Sequence, residues 1–330
     1  MLQSLFGVVY LSVLSQLVTL TGTQSECPLK LKPPSVVVEY GSSVSVDCST
    51  DVTHDGMGWE STVGGVPMTK DKLITWRVSN LRRWDIRSHC YINYNRTTQC
   101  EISLPITVYK TPDSVSINTV NRLMEEYFQY EFQCNIVNVA PFKSLIVTWF
   151  NGKTEVYTET FNDTTKDTIK TPVNVTSTLE ITAVRDDDGA QYRCEAELEL
   201  GADGPQPPPK ITSKPIQITV LYSPGHIYLV EIINKTDGDV TLNCTVPANP
   251  PATYSWYSEH LKERNNSPVL SSSKLTPGKY ICTATNTLGN SDKVFIVNFA
   301  GSLHTFMGSL IFLPLLVACL GLSCEEDTNE

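Results

Sequence analysis

Three times in this chain a strand-like run ends in cysteine, a tryptophan follows at short distance, and a second cysteine closes the set. The triplets are Cys48, Trp59 and Cys90; Cys134, Trp149 and Cys194; and Cys244, Trp256 and Cys282. The first cysteines stand in "SVSVDC", "YEFQC" and "DVTLNC". In the first run Val44, Val46 and Cys48 alternate with polar residues, and a period of two turns the cysteine inward. A pair of inward cysteines with a bulky indole between them describes two sheets clasped by a disulfide, the tryptophan lying against it.

That arrangement is the immunoglobulin-like sandwich, and the repeat predicts the pairs Cys48–Cys90, Cys134–Cys194 and Cys244–Cys282. "DGAQYRC" places Tyr192 two residues before Cys194, and "GKYIC" places Tyr280 two before Cys282, where a tyrosine corner belongs. The first repeat has "IRSHC" and lacks the tyrosine. The expected fold is all-β, with three tandem sandwiches over 26–110, 111–222 and 223–301. "ITVYKTPDSVSI" and "ITVLYSPGHIYL" each run a last strand into a proline, which restricts itself and the residue before it. These junctions are therefore expected to bend little. "GADGPQPPP" (201–209) follows Cys194 closely enough to be a hairpin loop rather than a linker.

The ends carry two apolar segments. Residues 1–25, with "LFGVVYLSVLSQLVTL" ahead of small polar residues, match a secretory signal peptide cleaved between Gly22 and Ser25. Residues 302–323 hold "FMGSLIFLPLLVACLGLS" and are long enough to span a bilayer as one helix. This predicts a single-pass type I chain at the plasma membrane, with a short cytoplasmic tail at 324–330. A removed lipid-anchor signal beginning at Ala300-Gly301-Ser302 is the alternative. Sequons at Asn95, Asn162, Asn174, Asn234, Asn243 and Asn265 fit a glycosylated exterior.

Several functions are disfavoured. A net charge of −10 without a basic block argues against nucleic acid, whose binding rests on phosphate neutralisation. The five histidines (54, 89, 226, 260 and 304) are scattered, with no nucleophile–base or metal-ligand spacing. No enzyme activity, cofactor or small-molecule substrate is expected. "VRDDDG" (184–189) suggests an acidic metal cluster, but its place before Tyr192 makes it a strand-to-strand corner.

"VSVDCST", "MGWEST", "WRVSN", "HCYIN" and "ITVYKTPDSVSI" resemble, in order, the first domain of the intercellular adhesion molecules. "IVTWFNGKTEVYTETF" and "TLEITAVRDDDGAQYRCEAELEL" resemble their second domain, whereas 223–301 is similar only to a generic immunoglobulin-like module. The family carries a second disulfide in its first domain; Val52 and Tyr94 stand at both of those places here. Cys27 and Cys100 are additional, at the first and last strands, and are expected to pair with each other. If Trp59 points inward, Glu60 points outward. By the same alternation Cys90 leaves Tyr91 and Asn93 outward, on a neighbouring strand of the same sheet. The resemblance implies that Glu60 completes the coordination of a divalent cation, Mg²⁺, held by an integrin on an opposing cell. Tyr91 and Asn93 would then be flanking contacts, and the chain would hold no metal of its own. The alternative is a homophilic or heterophilic immune or adhesion ligand that uses its sheet faces without metal.

Overall fold

A computed structural model describes residues 27–299, apart from 96, 162–168, 236–238, 263–264 and 273–274. The expected leader (1–25), apolar segment (302–323), tail (324–330) and the sequon at Asn162 lie outside the described residues, as does the side chain of Asn95. Among the described residues no helix is long and apolar enough to cross a membrane. The chain divides into two compact units between Leu221 and Tyr222.

The first unit begins with strands β1 (Leu29–Lys32), β2 (Val36–Glu39), β3 (Val44–Thr50), β4 (Gly56–Ser61), β5 (Val66–Thr69), β6 (Leu73–Val78), β7 (Ser88–Asn95), β8 (Thr98–Ser103) and β9 (Ile106–Tyr109). One sheet runs β1-β3-β6 and the facing sheet β5-β4-β7-β8. Pro33 and Pro34 lack the N–H that pairing with β3 needs, so the first strand breaks there and its continuation β2 joins β9 in parallel. Pro105 breaks the last strand into β8 and β9 in the same way. Cys48 on β3 bonds Cys90 on β7, and both are fully buried. Trp59 lies between the sheets at 2% exposure, stacked on Trp76 at 5.8 Å between ring centroids. Its indole N–H donates to Ser88 Oγ at 2.6 Å. Ser88 holds the position a corner tyrosine takes in the other repeats, and it satisfies a buried donor there.

Cys27 bonds Cys100, tying the start of the first strand to β8 at the far edge of the facing sheet. The partner cysteine thus stands on the first half of the interrupted last strand, not on β9. Tyr94 and Val52, at the places where the resemblance implies a second disulfide, pack against the core. Tyr94 Oη comes within 3.7 Å of Cys100 Sγ.

The unit continues with β10 (Ser114–Thr119), β11 (Leu123–Glu125), β12 (Gln129–Val139), β13 (Leu145–Asn151), β14 (Thr154–Thr160), β15 (Val173–Thr182), β16 (Gln191–Leu198), β17 (Lys210–Thr212), β18 (Ile216–Gln217) and β19 (Thr219–Leu221). Sheet β10-β12-β15 faces β14-β13-β16-β17, with Cys134–Cys194 across them and Trp149 donating to Ser177 Oγ at 3.0 Å. The junction is short and tied down. Lys110 and Ala140 exchange backbone hydrogen bonds of 2.8 and 3.1 Å, and Lys110 Nζ pairs with Asp113. Residues 201–209 form the loop of the β16–β17 hairpin, and Ser35 of the first sandwich donates to Asp203 in it.

The second unit contains β20 (Val230–Lys235), β21 (Val240–Asn243), β22 (Thr253–Tyr257), β23 (Val269–Ser272), β24 (Gly278–Asn286) and β25 (Gly289–Phe299). Sheet β20-β25-β24-β22 faces β21-β23, joined by Cys244–Cys282. Tyr280 Oη donates to the Thr276 carbonyl at 2.9 Å, the corner bond that the sequence position calls for. Tyr192 differs: its hydroxyl meets Asp187 Oδ1 at 3.4 Å and Asn151 Nδ2 at 3.3 Å, both side chains. Asp187 closes the turn at 185–187 and brings its carboxylate to the phenol ahead of any backbone carbonyl.

Two expectations follow. Thiol attack requires access to sulfur. Cys27 and Cys100 are half-buried, whereas Cys48 and Cys90 expose nothing. Mild reduction of the native chain followed by alkylation and peptide mapping should therefore label Cys27 and Cys100 first. Simultaneous labelling of Cys48 and Cys90 would contradict this. Burial, reinforced by the Asp187 carboxylate, pushes Tyr192 up to about 12 from its ordinary 10.0. The unfolded chain loses that proton first, so the contribution of Tyr192 is complete below pH 10 and lost as pH rises through about 12. Tyr192→Phe keeps the ring stacked on Phe132 and should flatten the fall in melting temperature across that window. Parallel melting curves for parent and variant would refute the assignment.

Candidate functional site

The outer face of β5-β4-β7-β8 is set by the core beneath it. Met57 and Trp59 turn inward from β4, and Cys90 and Ile92 turn inward from β7. Gly56, Gly58 and Glu60 then face outward, opposite Asn93, Tyr91 and His89. On the other side of β7, His89, Tyr91 and Asn93 pair with Ser103, Glu101 and Gln99 of β8.

The two glycines shape this face. A Cβ on Gly58 would lie 2.4 Å from Tyr91 Oη, and one on Gly56 would lie 2.6 Å from Met68 Cγ. The phenol of Tyr91 and the thioether of Met68 thus rest directly on the β4 backbone, in a hollow that only a missing side chain provides. Asn93 Nδ2 reaches Met68 Sδ at 3.3 Å and joins β7 to the exposed methionine of β5.

Glu60 stands at the end of this hollow with 66% of its side chain exposed. Its carboxylate approaches His89 Nε2 at 3.3 Å, and Glu101 approaches the same nitrogen at 3.6 Å. One imidazole nitrogen therefore sits between two carboxylates and holds Glu60 from one side, while the opposite side faces solvent. The structure gathers Glu60, Tyr91 and Asn93 onto one face and adds His89, Glu101 and Met68 to them. Among the described residues no group of three or more His, Cys, Asp or Glu side chains is arranged to hold a metal ion. This face offers an exposed monodentate oxygen, an aromatic hydroxyl and a carboxamide.

His89, counted by sequence among the scattered histidines, shares the parity of Tyr91 and Asn93, and that alternation is the signal that points to it. Glu101 and Met68 lie on the flanking strands β8 and β5, and their membership depends on sheet order. Of the sequons, Asn174, Asn234 and Asn243 are exposed and Asn265 is half-buried.

Residues 24–114 match the N-terminal domain family of the intercellular adhesion molecules, and residues 233–298 match the immunoglobulin domain family. The chain is similar to intercellular adhesion molecule 4 of Homo sapiens, at 26% identity over 211 residues, covering 62% of this chain and 72% of that one. It is similar to intercellular adhesion molecule 1 of Pan troglodytes at 29% identity over 184 residues, covering 53% of this chain. The match spans only 32% of that relative's length. Intercellular adhesion molecule 3 of Homo sapiens is 25% identical over 181 residues, covering 53% of this chain and 30% of its own.

Gly58→Ala tests the hollow. The obstructing atom is the tip of a flexible side chain, so Tyr91 swings outward and the fold persists, with a stability change within about 1 kcal/mol. Nitration of Tyr91 by tetranitromethane, read by mass spectrometry, should become faster in the variant. Unchanged nitration would mean that the phenol does not lie on Gly58.

Proposed function

We propose that this member of the intercellular adhesion molecule family is a cell-surface adhesion ligand whose first sandwich binds an integrin on an opposing cell through Glu60. Adhesion molecules of this family are receptors rather than enzymes, and no catalytic role is assigned here. The observation that carries the reading is the setting of Glu60: a carboxylate 66% exposed, next to a fully anchored Trp59. An exposed glutamate on a mobile loop must be ordered on binding, at a cost in side-chain entropy. This one stands on a paired strand, and its neighbour in sequence is clamped between the sheets by Ser88 and Trp76.

The chemistry follows from the ligand set. A hard divalent cation such as Mg²⁺ takes carboxylate oxygen and keeps positions for water or a partner's oxygen. Glu60 and Glu101 stand on this face on either side of His89, and among the described residues they form no complete metal site, which suits a cation already seated on the partner. Tyr91 and Asn93 supply a flat flanking surface along the same strand pair. Anchorage by residues 302–323, a cleaved leader at 1–25 and glycans on the sequons complete the proposal of a single-pass surface glycoprotein.

Glu60→Gln should abolish binding of the cell-displayed chain to a panel of integrin ligand-binding domains in Mg²⁺. The amide keeps the size and loses the charge. Because the side chain is exposed, stability should change by no more than about 0.5 kcal/mol. Tyr91→Ala and Asn93→Ala should weaken binding less, as contacts beside a hot spot do. Glu39→Gln, at the exposed end of β2, is the control that binds normally. Parental binding that survives EDTA would reject the metal bridge in favour of metal-independent recognition by the sheet faces.

A further inference from the structure

The outer face of β20-β25-β24-β22 in the second unit carries an apolar band between polar rows, with Thr283 and Asp292 on one side and Lys279, the partner of Ile296, on the other. Val230 and Ile232 are 56% and 64% exposed, Tyr257 68% and Ile296 36%. The register arranges them in two rows. Val230, Val294, Ile281 and Tyr257 cross all four strands, and Ile232 lies beside Ile296. Core packing sets this parity, since Phe295 and Val297 turn inward from β25 and Trp256 from β22. Scattered exposed apolar side chains need no explanation, but a continuous band does.

The next outward position on β20 after Ile232 is Asn234, paired with Asn298 of β25. Asn234-Lys235-Thr236 is a sequon. The Asn234 carboxamide accepts a hydrogen bond from Asn298 Nδ2 at 3.5 Å through its oxygen, Oδ1. The nitrogen, which is the atom that carries a sugar, takes no part in that bond. Two residues along a strand span about 7 Å and one strand spacing about 4.8 Å. Ile232 and Ile296 therefore lie beneath the first sugars of any chain that leans back along β20. A pyranose ring has C–H groups on its faces and hydroxyls at its rim, so it can cover aliphatic side chains while its hydroxyls stay in water.

The other described sequons on strands lack this setting. Asn243 shares its outward face with Thr241 and Ser271, which hydrogen-bond each other at 3.1 Å. Asn174 shares its face with Thr176, which bonds Asn135 at 2.9 Å. Asn234 is the one strand sequon among them that opens onto an apolar band.

We propose that the N-linked glycan of Asn234 folds back over Ile232 and Ile296 and covers this face of the sheet in place of a protein partner. The proposal rests on entry into the secretory pathway, which is part of the functional reading above. The test is hydroxyl-radical footprinting of the full chain, glycosylated and held in lipid nanodiscs, with labelling of Ile232, Ile296 and Tyr157 read by mass spectrometry. Thr236→Ala removes the sequon and keeps Asn234, and amidase treatment of the folded parent removes the sugar while leaving aspartate at 234, so the two routes uncover the face with different charge. Both should raise labelling of Ile232 and Ile296 several-fold and leave Tyr157, on β14 of the first unit, unchanged. Labelling that stays the same after removal overturns the proposal, and labelling that stays low only at high protein concentration assigns the face to a second copy instead. A bare Asn234 on a chain glycosylated at Asn174 or Asn243 also overturns it, with the secretory reading intact. If every sequon is bare, both readings fail.

Discussion

The contact on which the first sandwich depends is the tryptophan lodged against the inter-sheet disulfide. Cys48–Cys90 holds the sheets together at one point, and Trp59 fills the space beside it with Trp76 stacked behind. A large indole brings a buried N–H with it, which must find an acceptor or cost the desolvation of an unpaired donor. Ser88 supplies that acceptor from β7, two residues before the disulfide cysteine. The hydrogen bond joins β4 to β7, while the covalent bond ties β7 to β3 and the ring stack ties β4 to β6 across the core. The orientation of Glu60 follows from all three.

The three tryptophans solve the same problem with different neighbours. Trp59 and Trp149 use serine hydroxyls, from β7 and β15 respectively, and Trp256 uses the Ser267 backbone carbonyl. The corner position varies in step. Where Tyr280 or Tyr192 is present, its own hydroxyl ties the turn, and the tryptophan finds its acceptor elsewhere. In the first sandwich no tyrosine occupies the corner, and the serine in its place serves the indole. The sandwich tolerates this exchange because the requirement is a satisfied buried donor, not a particular residue.

The edges of the first sandwich show a similar substitution of means. Val52 and Tyr94 occupy places where the family resemblance leads one to look for a local disulfide, and both are packed against the core. The covalent staple is moved to Cys27–Cys100, which joins the first strand to the edge strand β8. Prolines at 33, 34 and 105 interrupt the outer strands and let β2 and β9 pair in parallel between the sheets. The covalent bond holds the two edge segments together, and the β2–β9 pairing satisfies the backbone groups of those two strands toward each other.

Alternation along "GMGWES" was enough to place Glu60 outward once Trp59 was taken as core, because the side-chain period of a strand is a local property of its backbone. The same rule applied to "SHCYINYN" puts Tyr91 and Asn93 outward, and His89 with them. The all-β class and the immunoglobulin-like repeat were legible for a related reason: each rests on a short run that carries its own cysteine and tryptophan. The sequence could not say which strands flank this face, which residues they bring, or what the two glycines are for. Glu101 reaches His89 only because β8 lies beside β7, and Met68 covers Gly56 only because β5 lies beside β4. Those adjacencies join residues far apart in the chain, and they follow from the register and order of whole sheets closing on one core. What a residue faces is written locally; what it faces with is decided only when the sheets assemble.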